Sequence, residues 1–388
     1  MVKIYFLLII ISLLFTSCGG DKDYTVLSFP TKNKNFDDVF KIESTINVKT
    51  KNIDSIKIFS IFKLKEINSN EYLIVDAIGR STYLIDSIGV VTKRISKPGQ
   101  GPGELNYVLD FAFDDDGNLY LLDPIQNIIA MYDSSFKFIK NFHLSYEHRL
   151  SYELRYANGY FFISSQKNLD KNSTATNFSF LKYSENTFVM VYDKNFKLLD
   201  SFLNPVKEML ETEGVLALSR ENFSPFMIHN TKIYTMTEEG FYLISIFNLN
   251  YKVVSKFEIE SSKFKKIDLN RVKNIKIVNK KLVNSLEDIG NLVASYTTPV
   301  SLDALNDNLI ISMQQPFGNY YPEFDKDVEK KYYYDIFKIE NKGVKPRFST
   351  IETEKRIVGV SQNQIYFVDK FGMHSDDYIL IEKATLVK

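Results

Sequence analysis

Hydrophobic and polar residues alternate with a period of two through most of the chain, in short runs separated by polar turns. The clearest stretch is Asn118 to Phe142, NLYLLDPIQNIIAMYDSSFKFIKNF. It holds an apolar strand ending in Asp, a turn, a second strand ending in Asp, another turn and a third strand. Period-two alternation of β-branched and aromatic residues predicts antiparallel strands rather than helices. The arrangement recurs at Glu71 to Ile95, Gly159 to Phe202, Lys232 to Phe257, Asn308 to Phe348 and Gln364 to the end, six copies in all. Equivalent positions fall at Asp76, Asp123, Ser164, Thr237, Met313 and Asp369, and the first two intervals, 47 and 41 residues, have the period of a four-stranded propeller blade.

Each copy has a first strand ahead of its hairpin, as at Phe59 to Ile67, Leu109 to Phe113 and Ile357 to Ser361. The last copy ends too early for a fourth strand. Val39 to Val48, VFKIESTINV, is placed to supply it, which closes the ring and removes an open sheet edge. The expected fold is therefore all-β, a six-bladed propeller of four-stranded antiparallel blades over residues 36–388, closed by an N-terminal strand. The longer intervals predict insertions. A short helix follows Asn204-Pro205, a basic stretch and a helix-like SLEDIGNLVASY lie within Glu258 to Val300, and a Tyr-rich segment runs from Pro316 to Tyr334. Loops on a rigid scaffold carry its function, so these insertions are the first place to look for a site.

The N-terminus departs from the repeat. One Lys precedes an apolar run from Ile4 to Phe15, then Thr16, Ser17 and Cys18. About a dozen apolar residues make a helix of roughly 18 Å, too short for a hydrocarbon core of about 30 Å. The segment reads as a signal peptide over residues 1–17. The chain's single Cys stands directly after it, which resembles the bacterial lipobox. That resemblance makes Cys18 the lipid attachment site and residues 18–35, polar and rich in Gly, Lys and Asp, a flexible tether.

Composition narrows the function classes. The 388 residues include 48 Lys and Arg against 48 Asp and Glu, so no global field draws in nucleic acid. With 44% hydrophobic residues the chain can bury a core, and with one Cys it forms no internal disulfide, so packing must supply the stability. Nothing points to self-association, and a monomer is expected.

Candidate chemistry is sparse. Gly99, Gly101 and Gly103 lack the Lys-Ser/Thr of a phosphate loop, and read as a tight crossing between blades, with Glu104 a candidate ligand contact. HLSYEH at His143 to His148 has the wrong spacing for a zinc motif. Asp114 to Gly117 has Gly too early for a calcium loop, and reads as a hairpin turn. No catalytic set, metal site or cofactor motif emerges. Tyr320, Tyr321, Tyr332, Tyr333 and Tyr334 form a cluster with two readings: a stacking platform for a sugar or a partner protein, or core packing within blade five.

The segment KRISKPGQGPGEL, Lys93 to Leu105, followed by DFAFDDDGNLYLLD, resembles the six-bladed β-propeller lipoproteins of Bacteroidetes, relatives of the NHL-repeat propellers. The resemblance implies a lipid-anchored protein of the bacterial cell envelope, at the outer membrane, that binds an envelope protein or a glycan and serves glycan or nutrient uptake. Two other readings stay open: a metal-dependent hydrolase or lyase with its site in the central funnel, and a structural partner of an outer-membrane transporter.

Overall fold

The computed structural model describes residues 24–30, 34–49, 57–144, 148–167, 189–202, 225–236, 242–261, 263–264, 277–278, 281–282, 297–315, 331–361, 363–369 and 378–387. Six four-stranded antiparallel sheets form the blades. Blade 1 is β3 (Lys63–Asn68), β4 (Glu71–Asp76), β5 (Ser81–Asp86) and β6 (Val91–Ser96). Blade 2 is β7 (Asp110–Phe113), β8 (Leu119–Asp123), β9 (Ile128–Tyr132) and β10 (Phe138–His143). Blade 3 is β11 (His148–Ala157), β12 (Tyr160–Lys167), β13 (Val189–Tyr192) and β14 (Leu198–Phe202), and blade 4 is β15 (Phe226–His229), β16 (Lys232–Met236), β17 (Leu243–Asn248) and β18 (Val253–Glu260). A small hairpin, β19 (Ile277–Val278) and β20 (Lys281–Leu282), lies within the basic insertion. Blade 5 is β21 (Thr298–Leu305), β22 (Asn308–Gln315), β23 (Lys331–Glu340) and β24 (Gly343–Thr353).

Blade 6 is built from both ends of the chain. β25 (Lys355–Ser361), β26 (Gln364–Asp369) and β27 (Tyr378–Leu386) take β2 (Phe40–Lys49) as their fourth strand, antiparallel from Phe40 opposite Leu386 to Lys49 opposite Tyr378. The expected closure by Val39 to Val48 is what the fold does.

First strands of neighbouring blades meet around the centre, β7 with β11, β11 with β15, β15 with β21, β21 with β25 and β25 with β3. A Cβ at Gly359 of β25 would lie 2.2 Å from the Leu64 carbonyl oxygen of β3, so this approach requires glycine. Among the described residues, six buried apolar clusters fill the six blade-to-blade interfaces. In β4, Leu73 and Val75 face blade 2 while Tyr72 and Ile74 face blade 6. Both faces of a second strand are thus covered, and YLIVD and LYLLD are buried at every residue. Outer strands such as β14 are mostly exposed.

The hairpins between third and fourth strands share one device. The side-chain oxygens of Asp86, Asp133, Asp193 and Asn248 accept backbone N–H groups two and four residues on, to Val90, Lys137, Lys197 and Lys252. Three residues after each stands a left-handed residue, Gly89, Phe136, Phe196 or Tyr251. Aromatic rings accept that strained conformation here because they gain packing: Phe196 stacks on Phe161 at 4.6 Å and Tyr251 on Phe202 at 5.0 Å.

Part of the segment expected to be a flexible tether is structured. β1 (Thr25–Ser28) adds a fifth, parallel strand to blade 4, with Thr25 opposite Phe257 and Ser28 opposite Glu260. Leu27 and Phe29 then pack between blades 4 and 5, Phe29 lying 5.2 Å from the Phe337 ring. The short helix α1 (Phe36–Val39), the one helix among the described residues, sets Phe36 against Phe367 at 5.0 Å in blade 6. The polar composition of residues 18–35 concealed the apolar anchors Leu27 and Phe29. The helices expected after Pro205 and at SLEDIGNLVASY fall outside the described residues.

Candidate binding face

All the long connections between strands lie on one face of the ring, among shorter ones. One face carries the turns between first and second strands and between third and fourth strands, each two to five residues: 69–70, 114–118, 158–159, 230–231, 306–307 and 362–363, then 87–90, 133–137, 193–197, 249–252 and 341–342. The other carries the turns between second and third strands and the crossovers between blades. There the connections reach 168–188, 203–225, 261–297 and 316–330. All the predicted insertions open on this second face.

In blades 1 and 2 the turns between second and third strands and the crossover joining the two blades are described, and one recurring carboxylate holds them. Asp76 accepts the N–H groups of Phe59 and Ser60, 17 and 16 residues earlier, and of Gly79 in its own turn. Asp123 accepts those of Asn106 and Tyr107, again 17 and 16 residues earlier, and of Ile125 and Gln126. Each Asp ties a blade's crossover to its second turn. Burial pushes the Asp76 carboxyl above its ordinary range despite these donors. The turns so fixed present Ile78 and Ile125, 54% and 65% exposed, at matching positions of adjacent blades.

The glycine segment is a crossover of the same face. The Glu104 carboxylate accepts from the Gly101 N–H at 3.0 Å and pairs with Lys97 at 3.0 Å, and these partners hold it below the usual range. A Cβ at Gly99 would lie 2.0 Å from that carboxylate. Gly103, at φ +74°, accepts a hydrogen bond at its carbonyl oxygen from the buried Tyr132 hydroxyl. The motif folds on itself, and Glu104, still partly exposed, orders the loop from within.

Below this face an ionic network spans half the ring. The Lys63 ammonium of β3 lies 2.7 Å from Asp110 of β7, and the Arg155 guanidinium of β11 lies 2.7 Å from the other Asp110 oxygen and 3.0 Å from Glu153. Glu153 accepts the Phe226 N–H of blade 4 at 2.9 Å, which carries the chain of contacts through blades 1 to 4. Burial opposes ionisation of Asp110, but Lys63 and Arg155 outweigh it and hold the carboxyl low. Burial and the neighbouring Asp110 charge raise Glu153. These carboxylates are committed to cations and backbone donors, so the network is a staple between blades rather than a free acid–base pair. The sequence held one signal of it: a charged residue at the centre-facing strand of three successive blades, Lys63, Asp110 and Arg155. No local motif marks that signal.

Tyr332 and Tyr333 correct the stacking-platform reading for their part of the cluster. Both lie in β23, 1% and 7% exposed, and Tyr334 beside them is fully buried. β23 is an interior strand whose two faces pack on blades 4 and 6. Tyr320, Tyr321 and Cys18 fall outside the described residues. So does most of the basic stretch; of it, Lys263 pairs with Glu352 at 2.8 Å. His143 and His229 lie at strand ends away from the ionic network, and no group of three His, Cys, Asp or Glu able to hold a metal occurs among the described residues.

Residues 16–359 match the model of a family described as a 6-bladed beta-propeller, DUF5128. No curated protein matches the sequence. Among solved structures, a Bacteroides fragilis protein named as exported is similar over 94% of this chain and 100% of its own, with 15% identity and a TM-score of 0.62. A DUF4221 family member from Bacteroides vulgatus is similar over 90% of this chain and 98% of its own, with 8% identity and a TM-score of 0.58. At such identities the likeness concerns the fold. With the family match spanning most of the sequence, the chain belongs to the DUF5128 family of six-bladed β-propellers.

Proposed function

We propose that this protein is a lipid-anchored binding module of the bacterial cell envelope, and that it recognises an envelope protein or a glycan through its long-loop face. The observation that carries the reading is the asymmetry of the ring. Turns on one face are trimmed to five residues or fewer, while the other face holds every long connection. A closed propeller needs no long loops for its own stability, so length kept on one side serves recognition. Exposed Ile78 and Ile125 on that face add apolar surface of the kind a partner covers. Cys18 after the apolar leader, and the B. fragilis neighbour named as exported, support placement in the envelope. A role in glycan or nutrient uptake, at the outer membrane, fits a surface-held binder of this form.

Two measurements test the reading. Fatty-acid labelling should mark the wild type and not Cys18→Ser; equal labelling of both contradicts the anchor. Replacing residues 316–330 by Asn-Gly, the preferred two-residue hairpin turn, should abolish capture of the envelope ligand at unchanged melting temperature. Undiminished capture contradicts a role for that loop in the face.

A further inference from the structure

β1 fixes where the tether leaves the ring. It runs parallel to β18, and β18 starts after the turn at 249–252 on the short-turn face and heads toward the long-loop face. β1 therefore enters its pairing from the short-turn side, with Thr25 as its first residue. Cys18 lies seven residues before Thr25, a reach of at most about 25 Å even fully extended. On the anchor reading above, the outer edge of blade 4 is the part of the ring closest to the bilayer.

That edge has the chemistry of a membrane contact. β1 covers only Phe257 to Glu260, so Val253 to Lys256 is an uncovered edge among the described residues, with Val253 and Val254 49% and 47% exposed. Lys252 and Lys256 flank the two valines. The adjoining turn of blade 5 adds Lys342 and the start of β24 adds Lys345, and the Ser255 hydroxyl donates to the Lys342 carbonyl oxygen at 3.2 Å, which makes the two segments one surface. Across 251–256 and 340–345 there are four lysines and one acid, Glu340. Glu258 and Glu260 lie on the other half of β18, under β1, where Glu260 takes the Ser28 hydroxyl. Charge is thus sorted along a single strand, basic toward the tether's exit and acidic away from it.

From this juxtaposition we infer that the short-turn edge of blades 4 and 5 rests on the bilayer surface. Lys252, Lys256, Lys342 and Lys345 meet anionic headgroups while Val253 and Val254 enter the interface. Attraction of each lysine to anionic headgroups and burial of the two valines add to whatever hold the N-terminal lipid provides. The arrangement also directs the long-loop face away from the membrane, where a partner can reach it.

The patch is testable without the lipid. Every described strand lies within residues 24–387, so the chain from Gly19 to Lys388 carries the whole ring. It should float with phosphatidylcholine vesicles containing phosphatidylglycerol, and not with phosphatidylcholine alone. Changing the four lysines to Glu should weaken that binding at least about tenfold, since each lysine near an anionic surface contributes a several-fold gain. Unchanged binding in the quadruple variant, or no preference for anionic vesicles, overturns the inference whether or not Cys18 is acylated. In the acylated protein, a fluorophore at Val254→Cys should be quenched by bilayer-embedded quenchers and one at Ile125→Cys should not; the reverse pattern overturns the orientation.

Discussion

Asp110 in blade 2 holds Arg155 in blade 3 at 2.7 Å while its other oxygen holds Lys63 in blade 1 at the same distance. Three inner strands that touch no common hairpin are joined through one carboxylate. Asp110→Asn leaves both cations with too little negative charge nearby. Since each cation keeps some solvent contact, a loss of about 2 to 3 kcal/mol is expected, below the cost for a fully buried pair. Urea denaturation checks it, and a midpoint equal to wild type contradicts the staple. Asp110 is held low, so its contribution is present above its unfolded value and disappears only as pH falls through the depressed folded one.

Asp335 has the opposite sign. It is fully buried in β23, where Tyr242 of blade 4 donates to it, and burial, only partly offset by Thr350 and Tyr242, raises its carboxyl to about 7. Its folded value lies above its unfolded one, so its stabilising contribution is complete below the unfolded value and is lost as pH rises toward about 7. Thermal unfolding should show Asp335→Asn gaining on wild type between pH 4 and pH 8. A constant difference between the two proteins across that range contradicts the account.

Truncations from the N-terminus should fall into three classes. Starting at residue 24 should leave stability unchanged. Starting at residue 31 removes β1 with Leu27 and Phe29, a loss of about 2 to 4 kcal/mol by the apolar area these side chains bury. Starting at residue 50 removes β2, opens blade 6, and should leave a chain that aggregates or unfolds cooperatively at much lower denaturant. Equal midpoints for the first two truncations would show that β1 adds nothing.

Within the tyrosine cluster, Tyr332→Ala should cost about 3 to 5 kcal/mol, as for a large side chain removed from a core. The pair Tyr320→Ala and Tyr321→Ala should leave the melting temperature within a few degrees and weaken ligand capture. Unfolding by the second pair assigns those residues to the core as well.

The period of Asp76 and Asp123 and the alternation around them made the blades legible in sequence, because in blades 1 and 2 one Asp performs the same local task at the same spacing. The closing strand was legible because an incomplete last blade demands one. β1 was not: Val26, Leu27 and Phe29 stand among Lys and Asp residues, and a parallel edge strand of four residues has no turn to announce it. Nor was the burial of Tyr332 and Tyr333 settled, since a run of tyrosines reads alike in an interior strand and in an exposed loop. The ionic network joins residues 45 or more positions apart in most of its links, and only the ring brings them together.

The central claim is that recognition occurs on the long-loop face. Photocrosslinking in intact cells tests it most directly, with benzophenone side chains placed singly at Ile78 and Ile125 on that face and at Asn70 and Ile88 on the short-turn face. The account predicts discrete adducts to an envelope component from Ile78 or Ile125 and none above background from Asn70 and Ile88. Discrete adducts from the short-turn positions alone, or equally from both faces, would contradict it.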